Sequence, residues 1–246
     1  MHRFFISPDQ VIGSIVHFNA DQSRQISRVL RLRPGDHVVA LDGAGQELEV
    51  ALDSAAQAFA SGSITDRRPA GGEPAVRLTV YQSLLKREKF EWVLQKGTEI
   101  GVTRFVPVIT SRSLIRDPAD SKPEKLNRWR RIIKEAAEQS GRGMLPQLLT
   151  TEHFSSAAAG ASRHDCAIIA WEGAVSETVR SVLKQNDTTL DVGLFIGPEG
   201  GFDPAEVDEA ISHHIFPVTL GPRILRTETA AVVAAALVLH ELGEMG

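Results

Sequence analysis

Two stretches near the C-terminus combine glycines, arginines and carboxylates in a way that could hold a small charged ligand. The first is Leu194-Phe195-Ile196-Gly197-Pro198-Glu199-Gly200-Gly201-Phe202-Asp203-Pro204-Ala205-Glu206. An apolar run ends at Gly197 and a helix is predicted to open at Pro204, with Asp203 as N-cap, Pro204 at the first position and Glu206 at the third. Between them lie Gly197, Gly200 and Gly201, which let the backbone adopt positive φ and approach a ligand closely. A tight turn that merely needs glycine would look the same on its own.

The second stretch is Val218-Thr219-Leu220-Gly221-Pro222-Arg223-Ile224-Leu225-Arg226-Thr227-Glu228-Thr229-Ala230, again strand, loop and helix. Thr227 is a plausible N-cap, and Glu228 falls in the first helical turn, where the macrodipole favours an anion. Ile224 and Leu225 are apolar residues in a polar loop. They cover either neighbouring loop residues or a flat ring such as adenine.

The elements needed to position these turns can be read from the pattern. After residue 74, strands are predicted at 76–81, 104–109, 166–170, 192–196 and 215–220, and helices at 87–100, 123–140, 175–185, 204–212 and 227–242. Ser121 and Glu124 fit a capping box for the second of these helices. Five apolar strands separated by helices imply an α/β fold with a mostly parallel sheet covered on both faces, where ligands bind at the carboxyl ends of the strands. The last helix is apolar all round, which calls for burial on every side, at a subunit interface or in a threaded core.

Residues 66–74 hold two prolines and two glycines without apolar periodicity and read as a linker. Before it, short strands at 3–6, 13–18, 37–41, 46–52 and 58–64, with one helix at 21–32, suggest a small β-barrel over residues 1–70. The second domain then spans 74–246.

Composition narrows the function. Apolar residues at 42% and charged residues at 24% describe an ordinary globular chain. The longest strongly apolar run, 230–239, is about half a bilayer span, so no membrane association is expected. Met1-His2-Arg3-Phe4-Phe5 leads into polar residues rather than a signal-peptide core, so a cytoplasmic location is expected. The single cysteine, Cys166, excludes an internal disulfide, and the eight histidines form no metal motif, so no metal is expected. A net charge of −4 argues against indiscriminate coating of nucleic acid. Yet residues 112–142 carry nine Lys/Arg against five Asp/Glu, a local +4. Part of that segment is solvated helix surface; the remainder could follow an RNA backbone.

Taken together, Gly197-Pro198-Glu199-Gly200-Gly201-Phe202 and Leu220-Gly221-Pro222-Arg223-Ile224-Leu225-Arg226-Thr227-Glu228-Thr229-Ala230 resemble the signature pair of the SPOUT methyltransferases, and within them the 16S rRNA uridine-N3 methyltransferase family. Glu91-Trp92-Val93-Leu94-Gln95-Lys96-Gly97-Thr98-Glu99-Ile100-Gly101-Val102 and Glu135-Ala136-Ala137-Glu138-Gln139-Ser140-Gly141-Arg142 agree with it. Arg28-Val29-Leu30-Arg31, with Gly35-Asp36, is similar to that family's PUA-like RNA-binding domain.

The resemblance implies a trefoil-knotted C-terminal domain, which ordinary connection rules would not predict. It implies a homodimer, with 16S rRNA of the small ribosomal subunit as partner. It places S-adenosylmethionine near Gly197, Pro198, Glu199, Gly200 and Gly201, near Leu220, Gly221, Ile224, Leu225 and Thr229, and beside a third loop at Trp171 and Glu172. Methylating a uracil nitrogen needs its weakly acidic N3 proton removed or the resulting anion stabilised. Arg226 is the candidate for that charge or for an adjacent phosphate. Glu228 is a candidate base or, equally, a structural helix-start carboxylate. Glu138 and Arg142 are second-rank catalytic candidates that would reach the site across a dimer. Arg112, Arg116, Arg128 and Arg131 are the candidate RNA contacts of the basic segment, and Arg3, Arg24, Arg28 and Arg31 those of the barrel.

Other knotted methyltransferases acting on ribose oxygens or guanines, and a non-catalytic RNA-binding assembly protein, remain as alternatives. A nicotinamide-dependent oxidoreductase fits poorly, because the G-x-G-x-x-G spacing is absent and the glycine turn is not in the first βα unit.

Overall fold

A computed structural model describes residues 1–113, 123–184 and 189–246, apart from the Arg87 side chain. Ser121 of the expected capping box and Arg116 lie outside the described residues.

Alternating apolar residues near the N-terminus build a six-stranded sheet. Its strands are β1 (His2–Phe5), β2 (Val11–Ile12), β3 (Ile15–Phe18), β4 (His37–Leu41), β5 (Gln46–Ala55) and β6 (Ala60–Pro69), in the order β1-β4-β5-β6-β3-β2. β1 runs parallel to β4 and the other pairs are antiparallel. Phe4, Val16, Phe18, Val38, Val50 and Leu52 form its core. Gly13, at φ 62°, turns β2 into β3, so the strand expected at 13–18 begins only at Ile15.

The helix expected at 21–32 is also shorter. Helix α1 (Ala20–Arg24) is capped by the Asn19 side chain, passes into a π turn at Gln25–Val29, and the chain reverses at Arg31, whose φ is 55°. From Ala20 to Val29 only Gln22, Ser23 and Ile26 are buried. So narrow a buried stripe does not sustain three regular turns.

The chain divides into two compact units: Met1–Glu73 with Ala137–Leu145, and Pro74–Ala136 with Pro146–Gly246. The second domain expected at 74–246 is thus interrupted by a short segment that counts with the first. Ala137 is buried with Phe5, Val39 and Leu41, and the Phe5 N–H donates to Glu138 Oε1 at 2.9 Å.

The second unit contains β7 (Arg77–Ser83), α2 (Arg87–Ile100), β8 (Arg104–Ile109), most of α3 (Pro123–Ser140), β9 (Gln147–Leu148), β10 (Glu152–His153), α4 (Phe154–Gly160), β11 (Cys166–Ala170), α5 (Val179–Leu183), β12 (Asp191–Ile196), α6 (Pro204–Ser212), β13 (Phe216–Val218) and α7 (Thr227–Glu241). The sheet order is β10-β8-β7-β12-β11-β13, with β9 beside β8, and every pairing is parallel. One apolar cluster joins one face of the sheet to residues of α2, α3, α5 and α7; a second joins the other face to α4 and α6. This is the expected α/β arrangement with a parallel sheet covered on both sides. The strands β9 and β10 and helix α4 are additions, too short to leave a period in the sequence.

Two helix starts differ from expectation. Helix α5 begins at Val179 rather than 175, because Thr178 caps it with the Ser181 amide as donor, while Val175 stays 95% exposed. Helix α7 takes Arg226 as N-cap and Thr227 as its first residue, since the Thr227 hydroxyl is engaged elsewhere. Within one chain, α7 buries one face. Ala231, Ala234, Ala235, Val238 and Leu239 face inward, whereas Val232, Val233 and Ala236 are half-buried and Leu237 is 37% exposed.

Candidate active site

The parallel register brings four strand ends to one level. Ile196 pairs with Ala170 on one side and with Gln82 on the other, and Ala170 pairs with Val218. The loops that follow β11, β12 and β13 therefore leave the sheet side by side, at its carboxyl edge.

The loop after β12 is a tight turn. The Gly201 N–H donates to the Pro198 carbonyl at 3.0 Å, with Gly201 at φ 69°. A Cβ on Gly201 would come within 2.9 Å of Glu172 Oε1, so the carboxylate after β11 packs directly on the glycine backbone. Helix α6 starts as the sequence predicts: the Asp203 side chain accepts from the Ala205 amide, Pro204 is in the first turn, and Glu206 Oε2 accepts from the Asp203 amide at 2.9 Å. The other oxygen of Glu206 accepts from the Ser111 amide at 2.7 Å.

The loop after β13 turns at Gly221, φ 104°, and carries exposed Arg223 and Arg226, with Ile224 91% exposed. Between the loops lie two cavities. One, of about 480 Å³, is lined by Ala170, Trp171, Glu172 and Ala174–Val175 on one side and by Leu220, Gly221, Ile224 and Leu225 on the other. The second, of about 620 Å³, is lined by Lys89, Glu172, Gly197–Phe202 and Ile224–Thr227. Ala170, Glu172, Ile224, Leu225 and Ala230 belong to both. One end is mainly apolar; the other presents Glu199, Lys89 and Arg226. That is the make-up of a small-molecule site with a few placed polar groups.

Of the residues expected around a cofactor, Trp171, Glu172, Gly197, Pro198, Glu199, Gly200, Gly201, Leu220, Gly221, Ile224 and Leu225 line these cavities. Thr229 is half-buried and lines neither. Glu228 also lines neither: its side chain is 16% exposed, and Oε2 is buried 3.5 Å from Lys89 Nζ without a hydrogen bond. Lys89 Nζ lies 3.4 Å from Glu199 Oε1, so one ammonium faces two carboxylates.

Glu138 and Arg142 lie in the first unit. Arg142 is 3% exposed, and its Nη2 donates to Glu73 Oε2 at 2.8 Å; Glu138 accepts from the Phe5 amide. Arg112, expected on RNA, donates to the Gly200 carbonyl at 3.0 Å and to Asp203 Oδ2 at 3.1 Å. Arg128 binds Glu91 through two hydrogen bonds of 2.6 and 2.7 Å, whereas Arg131 keeps 68% side-chain exposure. In the first unit, Arg3 donates to Glu47 Oε2 at 2.8 Å, Arg24 pairs with Asp21, and Arg28 and Arg31 are exposed.

Lys89, Gln82 and the bond made by Thr227 were not legible as site features. Lys89 had one signal: a cation in the first turn of a helix opposes the macrodipole and needs an anion nearby. Among the described residues no cluster of His, Cys, Asp or Glu could hold a metal, and no helix is long and apolar enough to cross a membrane.

A model of the RNA methyltransferase domain matches residues 72–239. Ribosomal RNA small subunit methyltransferase E of Synechocystis sp. is 35% identical over 238 residues, 96% of this chain and 76% of that protein. The chain belongs to the small-subunit ribosomal RNA methyltransferase E family. The Bacillus subtilis member is 29% identical over 248 residues, covering 98% of this chain and 97% of its own. A family member from Neisseria gonorrhoeae, solved bound to S-adenosyl methionine, superposes with a TM-score of 0.88 at 28% identity, over 98% of this chain and 97% of that one.

Proposed function

We propose that this chain is an S-adenosylmethionine-dependent methyltransferase acting on N3 of a uridine in 16S rRNA. The observation that carries this reading is the shared cavity between the two glycine- and arginine-bearing turns, in a chain whose relative binds S-adenosyl methionine.

The residues present suit that cofactor. Ile224, Leu225, Ala170 and Ala174 offer apolar surface to a flat ring, and Glu172 and Glu199 offer negative charge to a cation. Bound there, S-adenosylmethionine supplies a methyl group activated by a sulfonium. Gly197–Gly201 brings backbone close to the ligand without a side chain in the way. Exposed Arg226 takes up negative charge on the base as N3 loses its proton, or docks a neighbouring phosphate. Glu228 either accepts the proton or holds Lys89 toward the cavity; that it lines neither cavity favours the second role. Glu138 and Arg142 already have partners inside the first unit, and we assign them to its structure.

The remaining expectations enter the same proposal. After β13 the chain crosses back over the end of β12 to lay α7 against β7 and β12, a path suited to a trefoil knot. The half-exposed face of α7 suits a homodimer. The six-stranded, mostly antiparallel sheet suits a PUA-like barrel, with Arg24, Arg28 and Arg31 on RNA. Arg131 serves the basic segment, and Arg116, outside the described residues, is proposed with it. The cytoplasm, where ribosomal RNA is, is the expected compartment.

Transfer of a tritiated methyl group to 16S rRNA, with the product nucleoside mapped by mass spectrometry, tests the proposal. A label on uridine N3 supports it. A label on ribose or guanine, or no transfer at all, would overturn it.

A further inference from the structure

At the carboxyl end of β7, Gln82 is 1% exposed on a strand face it shares with the buried Leu78 and Val80. It pairs in register with Ile196, the residue before Gly197. Gln82 Nε2 donates to the Ser83 carbonyl at 3.1 Å and to Thr227 Oγ1 at 3.4 Å, and the Thr227 hydroxyl donates to the Gly197 carbonyl at 2.5 Å.

The direction of this chain is set by proton counting. A carbonyl cannot donate, so the one hydroxyl proton of Thr227 goes to Gly197, and the threonine oxygen is left as an acceptor. Turning the Gln82 amide over would put its oxygen against the Ser83 carbonyl and the Thr227 oxygen. In the orientation observed, Gln82 Oε1 is buried without a hydrogen bond. An apolar residue would avoid that cost, so packing alone does not account for a glutamine here.

We propose that Gln82 is a positioning residue of the cofactor cavity, acting through Thr227 to fix the Gly197 carbonyl. The chain of bonds starts on the central sheet and joins both turns, Gly197 in one and Thr227 at the end of the other. It therefore sets the spacing a ligand meets between them. The nature of that ligand rests on the function proposed above; the clamp itself does not.

The test compares wild type with Thr227→Val, Thr227→Ser, Gln82→Leu and the double variant Gln82→Leu/Thr227→Val. Amide exchange at Gly201, whose N–H closes the turn on Pro198, is read without cofactor; S-adenosylmethionine affinity and kinetics are read with it. Thr227→Val should speed Gly201 exchange and raise the cofactor Kd by roughly five- to tenfold, with KM for the cofactor rising more than kcat falls. Thr227→Ser, which restores the hydroxyl, should rescue both. Gln82→Leu should loosen the turn less, and the double variant should be no worse than Thr227→Val alone, because both cut one chain.

Exchange and Kd within about twofold of wild type for Thr227→Val, or effects that multiply in the double variant, would overturn the clamp. Should Thr227→Val or Gln82→Leu not fold, Gln82→Asn, one methylene short of Thr227, must reproduce the loosening at Gly201, and its failure overturns the proposal equally. A wild-type chain that ignores S-adenosylmethionine overturns the ligand assignment, while exchange at Gly201 still decides the clamp.

Discussion

Lys89 Nζ lies 3.5 Å from Glu228 Oε2, a buried carboxylate oxygen that has no hydrogen bond of its own. The two residues open helices α2 and α7, which pack together, and Glu199 faces the same ammonium from the glycine turn. One cation thus faces two carboxylates, of which Glu199 lines the cavity and Glu228 does not.

Lys89→Met should lower methyl transfer by roughly tenfold or more while leaving the circular dichroism spectrum of the fold unchanged, since it strips the charge from the cavity and leaves Glu228 without its counter-ion. Lys89→Arg should recover part of the rate. Single-turnover kinetics with saturating cofactor would check this; wild-type rates in Lys89→Met would remove the residue from the site.

Gly201→Ala combines two penalties. The backbone sits at φ 69°, where a side chain costs about 1–2 kcal/mol, and the new Cβ would press on Glu172 Oε1. Cofactor affinity should fall roughly tenfold by calorimetry. Gly221→Ala, at φ 104° with nothing within 4 Å of its Cβ, should show the strain without the clash and fall less.

Arg226→Ala should lower the transfer rate on 16S rRNA by roughly a hundredfold if the guanidinium meets the reacting base. If it docks only a phosphate, RNA affinity should fall instead and the rate at saturating RNA should hold. Full methylation together with normal RNA affinity would cancel both roles. For RNA binding, log affinity against log salt should slope by roughly −3 or more steeply, as expected for four or more single-strand phosphate contacts. A flat response would speak against Arg24, Arg28, Arg31 and Arg131 as RNA contacts.

Glu47 supplies a pH-dependent test of the first unit. Burial raises its pKa, but hydrogen bonds and charge from Arg68 and Arg3 outweigh that and hold it below the ordinary 4.5. A carboxylate with a depressed folded pKa contributes stability above its unfolded value, and loses it as pH falls through the folded one. Glu47→Gln should therefore lower the urea midpoint at neutral pH, and the gap from wild type should close below about pH 4.5. A gap that stays constant into acid would show that the ion pairs contribute no linkage.

What could be read without coordinates was whatever depends on near neighbours in the chain. The capping of α6 by Asp203, Pro204 and Glu206 is settled within four residues, and the apolar runs of β7, β8, β11 and β12 announce strands buried on both faces. Glycines at Gly197, Gly200 and Gly201 mark a backbone that must come close to something, whatever its partner. The start of α5 escaped because Thr178 and Val175 are both acceptable helix starts locally, and tertiary bonds at Glu177 chose between them.

Only the folded chain decided which residues meet. Arg142 reads as a charged residue in a basic segment, yet it is buried on Glu73, 69 positions away. Arg112 reads as an RNA contact and is found on the carbonyl of Gly200. Gln82, Lys89 and Thr227 become parts of one site because parallel strands end in register, a relation set by hydrogen bonding between strands and invisible to periodicity along any one of them. Sequence determined the kinds of element and the glycine turns; pairing across more than a hundred residues determined what those turns enclose.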